Sequence, residues 1–94
     1  MRHVSIYQIN DIKNCSYAFR SYDDSKFSIG DYKVVYETHI DFTDTDTELC
    51  EELFYNSNIG KLSYDGHTLS VSDLIRIDNK FYYCNPIGWK EINI

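Results

Sequence analysis

The chain has 94 residues, of which 43% are hydrophobic, 26% charged and 16% aromatic, and its formal net charge is −6. A chain of this length makes one domain that buries roughly 60–70% of its unfolded surface, which leaves little room for an interior cleft with its own supporting shell. The composition excludes a disordered chain, and nine Lys and Arg scattered singly against fifteen Asp and Glu count against a phosphate-binding surface.

In chain order, His3–Ile9 is rich in β-formers and reads as a strand, with Val4 and Ile6 on one face and Tyr7 and Ile9 on the other. Ile12 to Asp24 has no clear period and reads as irregular with a turn of helix. Asp23-Asp24-Ser25-Lys26 and Gly30-Asp31 mark a loop. Tyr32–Ile40 is a strand that places Val34, Tyr36, Thr38 and Ile40 on one face and turns Glu37 and His39 to solvent. Thr45 and Glu48 have capping-box spacing, so a helix is expected from Asp46 to about Tyr55, with Leu49, Cys50, Leu53 and Phe54 on its apolar stripe. Asn56-Ser57-Asn58 and Gly60 are expected to end it. Leu74–Ile77 and Lys80–Cys84 form a hairpin about Asp78-Asn79. Trp89–Ile92 adds a short strand after the Pro86 and Gly88 breaks. The pattern predicts a single α+β domain over 1–94, a small antiparallel sheet of about four to five strands with one short helix packed on it.

Nine Tyr, five Phe and one Trp suit a small core whose Tyr hydroxyls stay wet, and they also suit a binding face. Cys15, Cys50 and Cys84 are widely spaced and form no Cys-x-x-Cys pair, so they read as buried thiols rather than as a zinc or redox motif. No leader sequence is visible and no apolar run reaches membrane length, so a cytosolic protein is expected.

Chemistry has few candidates. Cys84 and His67, oriented by Asp65 or Asp73, are the residue types of a nucleophilic pair, but a packed thiol is the ordinary outcome in a Phe-Tyr-Tyr-Cys strand. His3, His39 and His67 are isolated, so no metal site is expected. Asp41-x-x-Asp44-x-Asp46 resembles a calcium loop but has Asp46 where the central Gly belongs, and N-terminal acids on a helix explain the run better. The four Gly make no phosphate loop, and no cofactor is expected. Lys80-Phe81-Tyr82-Tyr83 with Arg76 and Lys90 is the one basic-aromatic stripe in the chain. In Gly66–Asp73, the side chains of Ser70, Ser72 and Asp73 are expected to bond nearby backbone donors and shape the start of the hairpin.

The run Gly-His-Thr-Leu-Ser-Val-Ser-Asp at 66–73, then Tyr82-Tyr83-Cys84, then Ile87-Gly88-Trp89-Lys90-Glu91-Ile92, resembles the C-terminal signature of YodL-like domains. Phe19-Arg20-Ser21-Tyr22, the Tyr32–Tyr36 strand and the Leu49–Phe54 helix fall where that family has similar elements. Thr68 and Trp89 depart mildly from its Ser and Phe. Ser70, Ser72, Asp73, Tyr83, Gly88 and Trp89 match the signature and are marked as surface or fold determinants. The resemblance implies a context rather than a chemistry: phage, plasmid and conjugative-element proteins of Firmicutes, alone or beside antirestriction-type domains.

The resulting expectation is a non-enzymatic accessory protein that binds a host or element-encoded protein. The carboxylates Asp41, Asp44, Asp46, Glu48, Glu51 and Glu52 would form its contact surface, and one form of the role is inhibition of a host defence nuclease. The alternatives are nucleic-acid binding through the C-terminal hairpin and an enzyme using Cys84 and His67.

Overall fold

A computed structural model describes residues 1–94. The chain forms β1 (Arg2–Ile9), β2 (Tyr32–Ile40), α1 (Asp46–Asn58), β3 (Leu74–Ile77), β4 (Lys80–Cys84) and β5 (Trp89–Ile92). The five strands make one antiparallel sheet in the order β2-β1-β3-β4-β5, with one helix, which is the expected α+β architecture. β1 lies inside the sheet, paired with β2 along its length and with β3 over Val4–Tyr7, so Val4, Ser5 and Ile6 are fully buried.

On one face, α1 lays Leu49, Cys50 and Leu53 onto Val4, Ile6, Ile75, Ile77 and Tyr82, with Leu69 closing the edge. Each large aliphatic side chain buried there contributes about 1.5–3 kcal/mol. The helix starts as the spacing requires. Thr45 is the N-cap, and its hydroxyl oxygen accepts from the Glu48 amide at 3.2 Å. The reciprocal half of the box differs, because the Glu48 carboxylate accepts from the Thr45 hydroxyl at 2.9 Å rather than from its backbone.

Two expectations are corrected. The helix runs one turn past Tyr55, to Asn58. Ser57 and Asn58 do not stop it because tertiary bonds employ them: the Ser57 hydroxyl accepts from the Leu69 amide at 2.9 Å, and the Asn58 amide group donates to the Phe54 and Leu69 carbonyls. The period of β2 also breaks at a bulge. Ile6 faces Tyr36 while Tyr7 faces Val34, so Val35 is the extra residue. Val35, Tyr36 and Ile40 pack toward α1, and Val34 is exposed.

The opposite face is covered by an irregular strap, residues 10–31, with single 3-10 turns at Ile12–Asn14 and Ile29–Asp31. Tyr22, Phe27, Ile29 and Tyr32 pack on Leu74 and Tyr83. Rings meet edge to face there, with Tyr22 and Tyr83 centroids 5.2 Å apart.

Candidate functional site

Of the six carboxylates expected at a contact surface, five are exposed, Glu48 among them although it also caps α1, and one is drawn into the fold. Asp41, Asp44, Glu48, Glu51 and Glu52 are exposed on α1 and the loop before it. Asp46 is spent inside the fold. One of its oxygens takes the Arg2 guanidinium at 2.6 Å and the other accepts from the Tyr82 hydroxyl at 2.6 Å, which ties the helix start to β1 and β4. Burial and the bond to Asp46 both push the Tyr82 phenol above its ordinary range. Arg2 also donates to the Asp44 carbonyl, so the one guanidinium near these acids is consumed. The outer stripe of α1 then reads Glu48, Glu52, Tyr55, Ile59, at helical spacing. Tyr55 is 62% exposed and Ile59 46%, so carboxylates at the N-terminal end give way to an apolar end. The two apolar residues were absent from the expected surface, although their spacing from Glu48 and Glu52 was the readable signal.

Of the signature residues, Ser72, Asp73 and Tyr83 are buried, Ser70 and Trp89 are half-buried, and Gly88 is exposed. Asp73 is 1% exposed. Its Oδ2 accepts from the Ser70 amide at 2.9 Å and from the Gln8 side-chain amide at 3.0 Å, and its Oδ1 lies 3.8 Å from His67 Nε2. Burial pushes the Asp73 carboxyl up to about 6 against the pull of these partners. His67 Nδ1 sits 2.7 Å from the Thr68 carbonyl, a contact that needs an N–H at Nδ1 and leaves Nε2 facing Asp73. Gln8 completes the node from β1, donating also to the His67 carbonyl at 2.7 Å. Gly66 lies against it, where any Cβ would overlap Gln8 Oε1.

Ser72, Tyr83 and Asn85 reach across to the strap. The Phe19 amide donates to Ser72 Oγ at 3.0 Å, the Tyr83 hydroxyl donates to the Arg20 carbonyl at 2.8 Å, and the Tyr22 amide donates to Asn85 Oδ1 at 2.8 Å. The Tyr32 hydroxyl donates to the Ser72 carbonyl at 2.7 Å. The expectation of bonds to nearby backbone donors therefore holds for Asp73 alone. Ser72 bonds a distant amide, and the Ser70 hydroxyl donates to the Thr68 carbonyl instead of accepting. Gly88 takes a φ of +77° in the β4–β5 connection, and Trp89 packs edge to face on Phe54.

The residues of the two alternatives are placed apart. Cys84 and His67 line separate cavities, of about 140 and 220 Å³. The Cys84 thiol is pushed up to about 12 by burial, with Asp73 adding to it, and the nearest acceptor is the Asn85 carbonyl at 3.9 Å. Of the two carboxylates considered as orienter, Asp73 adjoins His67, whereas Asp65 is exposed. In the basic-aromatic stripe, Tyr82 and Tyr83 are buried, Arg76 lies over the Phe81 ring at 5.3 Å, and Lys90 lies over the Tyr22 ring at 5.7 Å. The rings are engaged within the fold rather than presented as a stacking platform.

No group of three metal-ligating side chains comes together, and no helix is long and apolar enough to cross a membrane. No curated protein and no solved structure matches the chain. The family model of the YodL-like domain does match, from residue 3 to residue 94, so the signature residues, the strap they hold and the helix on the opposite face all lie within one family unit, and the chain belongs to the YodL-like domain family.

Proposed function

We propose that this domain is a non-enzymatic, cytosolic protein-binding module that engages a basic protein surface through the outer face of α1. The observation that carries this reading is the stripe Glu48, Glu52, Tyr55, Ile59, flanked by Asp41, Asp44 and Glu51, beside an Arg2 already committed to Asp46. Carboxylates steer a basic partner and speed its association, and an exposed Tyr beside an Ile gives the contact an apolar anchor. The family resemblance extends the reading to an accessory role in a phage or other mobile element. One form of that role is occupation of the basic nucleic-acid channel of a host defence nuclease.

The test is affinity capture from a bacterial host lysate with wild-type protein and with Glu51→Lys/Glu52→Lys. The reading expects a specific partner on the wild type that is lost on the variant and released by salt. No specific partner, or equal recovery on both, contradicts it.

A further inference from the structure

The strap borders an open groove of about 830 Å³ whose lining includes Phe19, Arg20, Tyr22, Lys26, Pro86 and Lys90. Its position is fixed by the three long-range bonds to Ser72, Tyr83 and Asn85. Phe19 adopts a φ of +61°, a strained conformation for a bulky residue, and its side chain is 52% exposed. Ile87, in the β4–β5 connection beside the groove, is 94% exposed. The buried polar residues of the signature thus hold an aromatic side chain and a guanidinium outward.

Charge defines what the groove accepts. The ion pairs of the chain are Arg2–Asp46, His3–Glu37 and His67–Asp73, so Arg20, Lys26 and Lys90 make no close ion pair, although Lys26 lies near enough to Asp23 to help hold its carboxyl below the usual range. The two acids in the groove are engaged locally. Asp23 accepts from the Ser25 amide and hydroxyl, and Asp24 accepts from the Tyr22 hydroxyl. Both carboxylates keep their charge, so three cations against two acids leave the groove a net +1, which suits a face that joins a few carboxylates to apolar side chains. A nucleic-acid strand fits less well, because Asp23 and Asp24 line the groove and Lys90 already lies over the Tyr22 ring.

One surface on this same chain has the matching chemistry, the outer face of α1 with Glu48, Glu51 and Glu52 followed by Tyr55 and Ile59. We propose that the strap groove docks the α1 face of a second copy. The contact joins two different surfaces, so it builds open head-to-tail chains or closes into a ring. It is held by rim charges, so it is weak and falls with salt. A docked copy has its α1 face covered, so self-association competes with the basic partner proposed above but does not require that partner to exist.

Sedimentation equilibrium of the whole protein tests this across concentration, at about 20 mM salt, where screening reaches roughly 20 Å, and at about 1 M, where it is near 3 Å. The expected result is a weight-average mass that climbs with concentration at low salt and returns to the monomer at high salt. Arg20→Glu/Lys26→Glu and Glu51→Lys/Glu52→Lys alter exposed side chains that make no hydrogen bond or close ion pair in the fold, and circular dichroism checks that both remain folded. Each alone should associate at least about tenfold more weakly, because like charges then face each other, and mixing the two should restore association. A wild type that stays monomeric at low salt overturns the proposal. So does association that ignores salt, survives in both variants, or fails to return on mixing. The groove variant keeps an intact α1 face, so capture of a partner by it, with self-association lost, separates this proposal from the functional reading.

Discussion

On one face of the sheet a 13-residue helix lays Leu49, Cys50 and Leu53 onto Val4, Ile6, Ile75 and Ile77. On the other, a strap with nothing more regular than single turns covers Leu74, Tyr83 and Tyr32. A helix satisfies its own backbone, so the cover on the first face needs only shape and apolar area. An irregular segment satisfies little of its backbone, and each buried amide or carbonyl must find a partner elsewhere. Ser72, Tyr83 and Asn85 supply those partners at Phe19, Arg20 and Tyr22. Ser72 and Tyr83 of the signature are thus attachment points of the strap, with Asn85 beside them.

The comparison predicts different sensitivities on the two faces. The largest effect belongs to the aliphatic side. Ile75→Ala, at a fully buried position beneath α1, should cost about 3–4 kcal/mol in urea unfolding, from lost transfer energy and a cavity. A cost under about 1 kcal/mol would mean that α1 is not packed as described.

Next comes the Asp73 node, which joins β1 to the 66–73 segment. Burial holds the Asp73 carboxyl of the folded chain up to about 6, against about 3.9 in an unfolded chain. The folded state therefore binds the proton more tightly. This group's contribution is fully present below about pH 4 and is lost as pH rises through about 6, a total on the order of 2–3 kcal/mol. Asp73→Asn keeps an acceptor for Ser70 and Gln8 and turns a donor toward His67 Nε2. The difference in stability between wild type and this variant should change across that window and stay flat above it. A difference independent of pH would remove the buried carboxyl from the account.

The smallest effect lies on the strap side. Tyr83→Phe removes one hydroxyl and leaves the Arg20 carbonyl unpaired, at about 1–2 kcal/mol, with the packing of the ring retained. Its chemical-shift changes should gather at Phe19–Tyr22 and leave α1 unmoved. Shifts spread evenly over both faces would mean that the two covers are not independent.

What was legible in the sequence follows the same division. The β3–β4 hairpin, the start of α1 at Thr45 and the strand β5 rest on neighbours in sequence, and turn chemistry and capping reveal them. The end of α1 was misread because Ser57 and Asn58 look like terminators until Leu69 comes close enough to use them. The Val35 bulge was hidden because its cause is the pairing with β1. The place of β1 between β2 and β3, the strap and the Asp73 node all depend on contacts across most of the chain. One clue was present: Gln8, flanked by Tyr7 and Ile9 in an apolar strand, needed a buried partner, although the sequence could not say which. The acids of α1 were legible as a group, but the withdrawal of Asp46 from the surface required Arg2 and Tyr82.

Native-state hydrogen exchange addresses the claim that the strap is a separately attached cover. The Phe19 and Tyr22 amides rest on single side-chain acceptors, whereas the amides of β1 and β3 lie in the middle of the sheet. The strap amides should exchange through local opening, at least about tenfold faster than those of β1 and β3 and with little dependence on urea. Exchange of Phe19 and Tyr22 at the same rate as the β1–β3 ladder, with the same urea dependence, would contradict it: the strap would then open only when the whole sheet does.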